Sequence, residues 1–320
     1  MKFVRTNMPY PYYIETINKR ATGDPESFAH ECEAIFNRKV EEVAAMITEH
    51  LSVSRVVFLS GPSGSGKTTT AKKICDALEG IGIHAHTVSM DKYFVTLDPD
   101  NAPRTDDGKI DHESPYCLDL DLLISHFGLL ESGEEVIIPH FNFKTQAREP
   151  ARAVPLKLGR DEVVIFEGIH ALNDMLANRH PSAYKLYISA RSDIRDDSEI
   201  CFKRTWTRLL RRVVRDKLFR GTGASDTLRM WENVRHGEKE YISPFKYKAD
   251  VLFDSSMQYE VPVMKRFALM AFSNIPEDAG RAEELRGLFP ALMKFEEMEP
   301  NFVPPDSILR EFIGGGIYEY

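Results

Sequence analysis

A glycine-rich stretch at residues 61–68, with the sequence GPSGSGKT, carries the clearest chemical signal in the chain. It matches the pattern G-x-x-x-x-G-K-[ST], in which backbone N–H groups turn inward and cradle phosphates. We therefore expect a bound nucleoside triphosphate, with Lys67 at the β- and γ-phosphates and the Thr68 hydroxyl on Mg²⁺. The residues expected to contact ATP are Gly61, Ser63, Gly64, Ser65, Gly66, Lys67, Thr68 and Thr69.

Two carboxylates follow apolar runs that are typical of buried strands. Glu167 ends the run VVIFE at residues 163–167, and Asp91 follows a second run at residues 83–90. Because strand ends in open α/β sheets meet at the ligand crevice, both should lie near the phosphates. Glu167 is expected to hold Mg²⁺, and Asp91 to act as general base toward an acceptor hydroxyl and to contribute to the metal site. A turn or helix-capping role explains Asp91 equally well. His170 is open to two interpretations, a contact with substrate or phosphate and a structural histidine, and it is not counted among the catalytic residues.

Residues 201–220 concentrate positive charge in a chain that is otherwise acidic. They contain eight basic side chains and one acid, a net charge of +7, whereas the other residues sum to −15. The arginines recur at helical spacing, a pattern suited to phosphate groups. We expect a mobile lid that closes over ATP and excludes water, with a solvated basic helix face as the alternative. The arginines on this face are Arg204, Arg208, Arg211, Arg212 and Arg215.

The spacing of apolar residues predicts the elements that must position these groups. The expected strands cover residues 55–60, 83–90, 136–139, 163–166, 184–189 and 249–253. The expected helices cover residues 25–51, 118–130, 192–219, 261–273 and 277–293, with one more that begins near residue 66. Strands that alternate with helices predict an α/β fold, a parallel sheet of the P-loop NTPase type with helices on both faces.

The same patterns divide the chain into three parts. An N-terminal extension with an amphipathic helix covers residues 1–52, and the phosphate-binding core covers residues 53–256 with the lid at about 195–222. A helical C-terminal accessory segment covers residues 257–320.

The overall composition narrows the class of protein. The 320 residues carry 41 Lys and Arg against 49 Asp and Glu, a net charge of −8, which argues against nucleic acid as a partner. The chain has no run of eighteen apolar residues and no signal-peptide pattern, so we expect no membrane span and a cytoplasmic location. The four cysteines lie far apart and are expected to be buried free thiols.

In combination, several segments resemble the uridine/cytidine kinases of the phosphoribulokinase/uridine kinase group of P-loop kinases. The resemblance covers about residues 53–256. It rests on GPSGSGKTT (61–69), Asp91-x-x-Phe94, Asp111-His112, P-x-F-x-F (139–143), VVIFEGI (163–169) and RRVVRD (211–216). The C-terminal SILREFIGG (307–315) resembles a bacterial subgroup of nucleoside kinases, whose threonyl-tRNA-synthetase-like N-terminal region has no counterpart in this sequence.

The resemblance implies roles for individual carboxylates. Asp91 matches the residue that takes the proton from a ribose 5′-hydroxyl, and Asp111 matches the residue that holds ribose hydroxyls. Glu167 matches the Mg²⁺-linked carboxylate. Tyr93, close to Asp91, is a further expected contact of the acceptor.

The resemblance also implies roles for three arginines and for the loop lysine. Arg212, Arg215 and Arg220 match arginines of the lid and of the substrate side. We expect Arg212 and Arg220 to bind ATP, and Arg215 to act in catalysis and to contact the acceptor. Lys67 completes the set of expected catalytic residues.

The sequence departs from the family pattern where the family reads the pyrimidine base. Phe141 stands in place of a tyrosine, Gln146 in place of a histidine, and Thr222 in place of the last arginine of the lid. Phe can stack on a base but cannot hydrogen-bond to it, whereas Gln can both donate and accept. Phosphate transfer is therefore better supported than the choice of a pyrimidine, although Phe141 and Gln146 stay expected acceptor contacts.

The expected function is a Mg²⁺- and ATP-dependent kinase of a small hydroxylated molecule, first of all a nucleoside at its 5′-hydroxyl. A kinase of a sugar, a sugar phosphate or another polyol is the alternative within enzymes. A nucleotide-dependent regulatory ATPase is the alternative from another class. We also expect assembly into a homo-oligomer.

Overall fold

The computed structural model describes residues 11–105, 107–273 and 282–319. The strands of these residues, in chain order, are β1 (Tyr12–Tyr13), β2 (Val56–Ser60), β3 (His84–Ser89), β4 (Val136–Ile138), β5 (Phe141–Asn142), β6 (Ala147–Arg148), β7 (Val154–Leu156), β8 (Glu162–Glu167), β9 (Tyr184–Ser189), β10 (Ile194–Asp196), β11 (Glu199–Phe202) and β12 (Val251–Asp254). The α-helices are α1 (Ile14–Gly23), α2 (Pro25–His50), α3 (Lys67–Gly80), α4 (Leu120–Glu131), α5 (Asp174–Ala177), α6 (Arg204–Phe219), α7 (Ala224–Gly237), α8 (Glu260–Phe272), α9 (Ala282–Met293) and α10 (Arg310–Ile313).

Five of these strands form a central sheet in the order β12-β9-β2-β8-β3, and every neighbouring pair is parallel. The central strand β2 reads VVFLS and is buried throughout, as expected for a strand covered on both faces. The predicted α/β fold, a parallel sheet of the P-loop type with helices, is confirmed.

The side chains of β2 alternate between two hydrophobic layers. Val57 and Leu59 pack with the N-terminal helix α2 and with α3, α6 and α8 on one face. Val56 and Phe58 face a smaller layer that includes α4 and α5 on the other. This alternation places helices on both faces of the sheet and turns the carboxyl ends of the strands toward one edge.

Local sequence explains where the principal helices begin. The Asp24 side chain accepts a hydrogen bond from Ser27 N at 3.1 Å, and Pro25 follows as the first residue of α2. Asp119 caps α4 through Leu122 N, also at 3.1 Å. Gly66 precedes α3 with a φ of +80°, a conformation that favours glycine and ends the phosphate loop sharply.

The expected helix over residues 192–219 is wrong before residue 204. The hairpin β10–β11 occupies Ile194–Phe202 instead, with Asp197 at a φ of +51° in its two-residue turn. Aspartate tolerates this conformation, so the turn forms without glycine. The basic helix α6 begins only at Arg204.

Four helices, α1, α5, α7 and α10, have no counterpart among the expected elements. The expected helix over 277–293 is α9 from Ala282 onward, and residues 277–281 lie outside the described part of the chain. None of the helices in the described ranges is long and apolar enough to cross a membrane.

Candidate phosphotransfer site

The phosphate loop links β2 to α3 at the carboxyl edge of the sheet, as its sequence predicts. Backbone atoms of neighbouring segments pack closely against it. An ideal Cβ on Gly61 would lie 2.1 Å from Ile188 O, and one on Gly64, whose φ is +75°, would lie 2.9 Å from Arg208 O. The glycines are therefore needed both for the turn and for the close approach of neighbouring backbone.

Three arginines of α6 hold this loop from one side. Arg208 Nε donates to Ser63 O at 3.1 Å, Arg211 Nη1 to Gly64 O at 3.2 Å, and Arg212 Nη1 to Ser63 Oγ at 2.8 Å. The loop carbonyls are thereby turned toward α6, which leaves backbone N–H groups for the phosphate side. The sequence predicted α6 as a mobile lid, and movement of this helix stays a prediction.

Two of these arginines are neutralised within the fold. Arg208 binds both carboxylate oxygens of Glu238, at 3.0 and 2.7 Å. Arg211 is fully buried and is paired with Glu260, with its Nη2 2.9 Å from Oε2. Neither arginine is part of a solvated helix face, so both act as supports of the loop.

The expected metal ligands meet beside the loop. Thr68 Oγ1 lies 3.4 Å from Glu167 Oε1, and Glu167 is buried at the end of β8. Burial raises the pKa of Glu167 to about 7, with Lys67 opposing this and Asp91 adding to it. These interactions place all four side chains in one electrostatic cluster.

Asp91 lies in a short 3-10 turn (Met90–Tyr93) directly after β3, where Ser89 caps the turn. The residue stays accessible to solvent, but the protein around it removes much of its hydration and raises the pKa of its carboxyl. The positive charges of Lys67, Arg220 and Arg215 oppose that rise. Burial likewise lowers the pKa of Lys67, whereas the negative charges of Glu167 and Asp91 raise it.

A second group of polar side chains adjoins Asp91. Asp111 is buried, and its Oδ2 accepts a hydrogen bond from Tyr241 Oη at 2.9 Å while its Oδ1 accepts from Glu113 N at 3.1 Å. Burial raises the pKa of Glu113 to about 7, opposed by Arg212. Gly237 makes room for Glu113, since an ideal Cβ there would lie 2.4 Å from Glu113 Cβ.

His170 borders the same group. It is buried, and its Nδ1 has no hydrogen-bond partner among the described residues. Burial lowers the pKa of its imidazole to about 3, so the ring is neutral at physiological pH. The sequence left both a structural role and a substrate contact open for His170, and backbone groups of Glu113 and Tyr241 interact with its ring in the structure.

The hairpin β5–β6 carries Phe141 and its turn carries Gln146, the two residues that the sequence suggested as acceptor contacts. The ring of Phe141 is buried and lies 5.6 Å from that of Phe94 and 5.0 Å from that of Phe143, centroid to centroid. Gln146 lies in the exposed turn with a φ of +54°, and its Nε2 donates to Phe143 O at 2.8 Å. An amide bound within its own turn is less available to a ligand than its position in the sequence suggests.

Arg148, which the sequence analysis did not single out, ties this hairpin to the turn that carries Asp91. It donates to Phe94 O, Tyr93 O and Asp119 Oδ2, each at 3.0 Å. Tyr93 is fully buried, and its hydroxyl hydrogen bonds with His126 Nδ1 at 2.8 Å. The Tyr93 hydroxyl is therefore bound in the core and does not face the cleft, so the expected contact of this hydroxyl with the acceptor is wrong.

The last turns of α6 place further positive charge at the loop. Arg215 Nη2 lies 3.2 Å from Asp216 Oδ1, and Arg220 Nε lies 3.6 Å from the same oxygen. The carboxylate of Glu311, from α10 near the C-terminus, lies 4.0 Å from Arg215 Nη1. The positive charges of Arg215 and Arg220 also act on the carboxyl of Asp91, and their roles toward ATP and the acceptor stay predictions.

Taken together, the phosphate loop, the oxygen donors beside it and the arginines opposite define a P-loop phosphotransferase. A model of the Phosphoribulokinase / Uridine kinase family matches residues 56–262, and the chain belongs to that family. It is accordingly an ATP-dependent enzyme that phosphorylates an alcohol group.

Individual relatives match the same core. A uridine kinase of Listeria monocytogenes (strain HCC23) is 30% identical over 209 residues, covering 65% of this chain and 90% of its own length. A uridine kinase of Halobacterium salinarum is 26% identical over 200 residues, covering 62% of this chain and 79% of its own. Among solved structures, the D-glycerate 3-kinase of Cryptococcus neoformans aligns with a TM-score of 0.45 at 18% identity, covering 65% of this chain and 89% of the other.

Proposed function

We propose that the protein is a nucleoside kinase that transfers the γ-phosphoryl group of ATP to a ribose 5′-hydroxyl. The observation that carries the proposal is the electrostatic interaction of Asp91 with Lys67 of the phosphate loop, together with Glu113, on which both Asp91 and Asp111 act. The uridine kinases among the relatives support the nucleoside as acceptor.

The residues divide the reaction between them. Asp91 accepts the proton of the acceptor hydroxyl. At the same time the hydroxyl oxygen bonds to the γ-phosphorus and ADP leaves. Lys67 and Arg215 stabilise the negative charge that spreads over the transferred group. Asp111, fixed by Tyr241, holds hydroxyls of the acceptor and so aligns the attacking oxygen.

The residues beside the loop suit Mg²⁺. Thr68 and Glu167 offer the hard oxygen donors that this ion prefers, with Asp91 close enough to contribute. Because Asp91 raises the pKa of Glu167, a divalent cation between them would relieve their repulsion. When bound, Mg²⁺ supplies charge neutralisation to the β- and γ-phosphates.

The test is an ADP-release assay with Mg²⁺-ATP across uridine, cytidine, purine nucleosides, pentoses and glycerate. We expect release that depends on a nucleoside, with Lys67→Ala as the control for contaminating activity. Release with a pentose or glycerate and none with any nucleoside would replace the nucleoside by a sugar or polyol. Release that no acceptor stimulates would favour a regulatory ATPase.

A sugar or polyol is the second candidate because of the hairpin β5–β6. Its buried Phe141 has no polar group for a base, and the amide of Gln146 is bound within the turn. A site without polar readers discriminates weakly between bases. Homo-oligomer formation and a cytoplasmic location stay predictions.

A further inference from the structure

At the start of helix α3, one backbone N–H group donates a hydrogen bond to a carboxylate. The first hydrogen bond within the helix runs from Thr70 N to Gly66 O at 3.0 Å, so Thr69 N lies one position before these helical hydrogen bonds begin. Glu311 Oε2 accepts from Thr69 N at 3.4 Å and from Thr69 Oγ1 at 2.6 Å. Thr69 is fully buried, so this contact lies inside the protein.

Thr69 directly follows the lysine and threonine of the phosphate loop. The N–H groups of such a loop and of the first helical turn are the ones that hold nucleotide phosphates. A carboxylate is an anionic acceptor like a phosphate oxygen, and one N–H group cannot donate well to both. Glu311 therefore occupies a position that a nucleotide phosphate requires.

The segment that carries Glu311 is fixed to α3 by other contacts. Lys73 Nζ lies 2.6 Å from Asp306 Oδ2, and Tyr318 Oη donates to Asp76 Oδ2 at 2.5 Å. An ideal Cβ on Gly66 would lie 2.2 Å from Ile308 Cδ1, so Ile308 covers the end of the loop. Glu311 is thus held over Thr69 by its neighbours, and the segment would stay in place without it.

A second partner lies within reach of the same carboxylate. Arg215 Nη1 is 4.0 Å from Glu311 Oε1, slightly longer than a hydrogen bond. If Glu311 turns away from Thr69, its charge can be compensated by Arg215 without leaving the protein. The displacement therefore requires a side-chain movement and no unfolding of the segment.

We propose that Glu311 competes with the nucleotide for Thr69, so that nucleotide binding is coupled to the release of this carboxylate. The proposal rests on the proposed binding of a nucleotide at this loop. Residues 307–319 lie outside the stretch matched by the family, which ends at residue 262. The segment makes the nucleotide affinity of this chain depend on a part that the shared core does not contain.

Calorimetric titration of ADP into the full chain tests the competition. Glu311→Gln keeps the shape of the side chain but removes its charge, and we expect the Kd for ADP to fall about tenfold. Glu311→Ala should act in the same direction. Glu296→Gln is the control, since Glu296 is exposed, lies before residues 307–319 and should leave the Kd unchanged.

Equal or weaker ADP binding by Glu311→Gln would overturn the proposal. Absence of ADP binding by the wild-type chain and by Glu311→Gln would instead overturn the nucleotide site itself.

Discussion

Arg211 of α6 and Glu260 of α8 form a fully buried ion pair directly beneath the phosphate loop. The same guanidinium donates to Gly64 O at 3.2 Å and to Ser255 O at 2.8 Å, so one side chain joins the loop, the helix and the strand end. Arg211 Cζ lies over the ring of Phe312, from the C-terminal segment, 5.2 Å from the ring centroid. The pair therefore organises the loop from within the core.

Glu260→Gln should reduce the free energy of unfolding by about 3 kcal/mol, because it leaves a buried guanidinium without its counter-charge. Urea denaturation followed by circular dichroism measures this. Glu299→Gln is the control, since Glu299 pairs with Arg266 on the surface and should hardly shift the midpoint. Equal midpoints for wild type and Glu260→Gln would show that the pair contributes little.

Asp91→Asn should lower kcat by about 10²–10⁴-fold, because an amide cannot take the proton of the acceptor hydroxyl. The Kd for ADP should stay within a few fold of the wild-type value. Coupled ADP release and calorimetry measure the two effects separately. Asp121→Asn, at an exposed position in α4, is the matched control. Turnover near the wild-type rate in Asp91→Asn would remove Asp91 as the base.

Gly66→Ala should weaken ADP binding by about tenfold or more and destabilise the fold by about 1–2 kcal/mol. Its φ of +80° disfavours a side chain, and the new Cβ would collide with Ile308. Gly80→Ala, at the other end of α3, meets no atom within 4 Å and should leave ADP binding unchanged. Thermal unfolding and ADP titration of both variants provide the comparison.

Glu113 should make stability depend on pH. Because the pKa of this carboxyl is raised to about 7 in the folded chain, the folded state keeps a proton that the unfolded state loses near its ordinary value of 4.5. Its contribution to stability is therefore present below about pH 4.5 and is lost as the pH rises through 7.

Relative to Glu113→Gln, the wild-type chain should lose on the order of 1 kcal/mol of unfolding free energy between pH 5 and pH 8. Urea denaturation at several pH values measures the difference. Glu135→Gln, exposed beside β4, serves as the control. Parallel pH profiles for wild type and Glu113→Gln would contradict the raised pKa.

Local signals in the sequence were sufficient to predict the strands of the central sheet and the phosphate loop. Strands such as β2 and β9 are short apolar runs, and the phosphate loop is a contiguous pattern whose geometry depends on its own glycines. The hairpin β10–β11 was missed because its apolar residues fit a helical period as well as a strand, and only pairing with a neighbour decides between them.

Most of the remaining site depends on contacts between distant residues. Glu113 and His170 belong to it because α7 and the strand ends bring them together, and Glu311 because the C-terminal segment crosses α3. Arg208 and Arg211 looked like members of an exposed basic face, but their acidic partners lie 30 and 49 residues away. Pairings at that separation leave no periodic trace in a single sequence.

The internal pairing of α6 also bears on how fast a nucleotide arrives. Arg208, Arg211 and Arg212 face Glu238, Glu260 and Asp216, so this part of the positive charge of the helix is compensated within the protein. Long-range steering depends on such an outward field and weakens with salt. These three arginines should therefore contribute little to the ionic-strength dependence of nucleotide association, and they should act only once the phosphates have entered the loop.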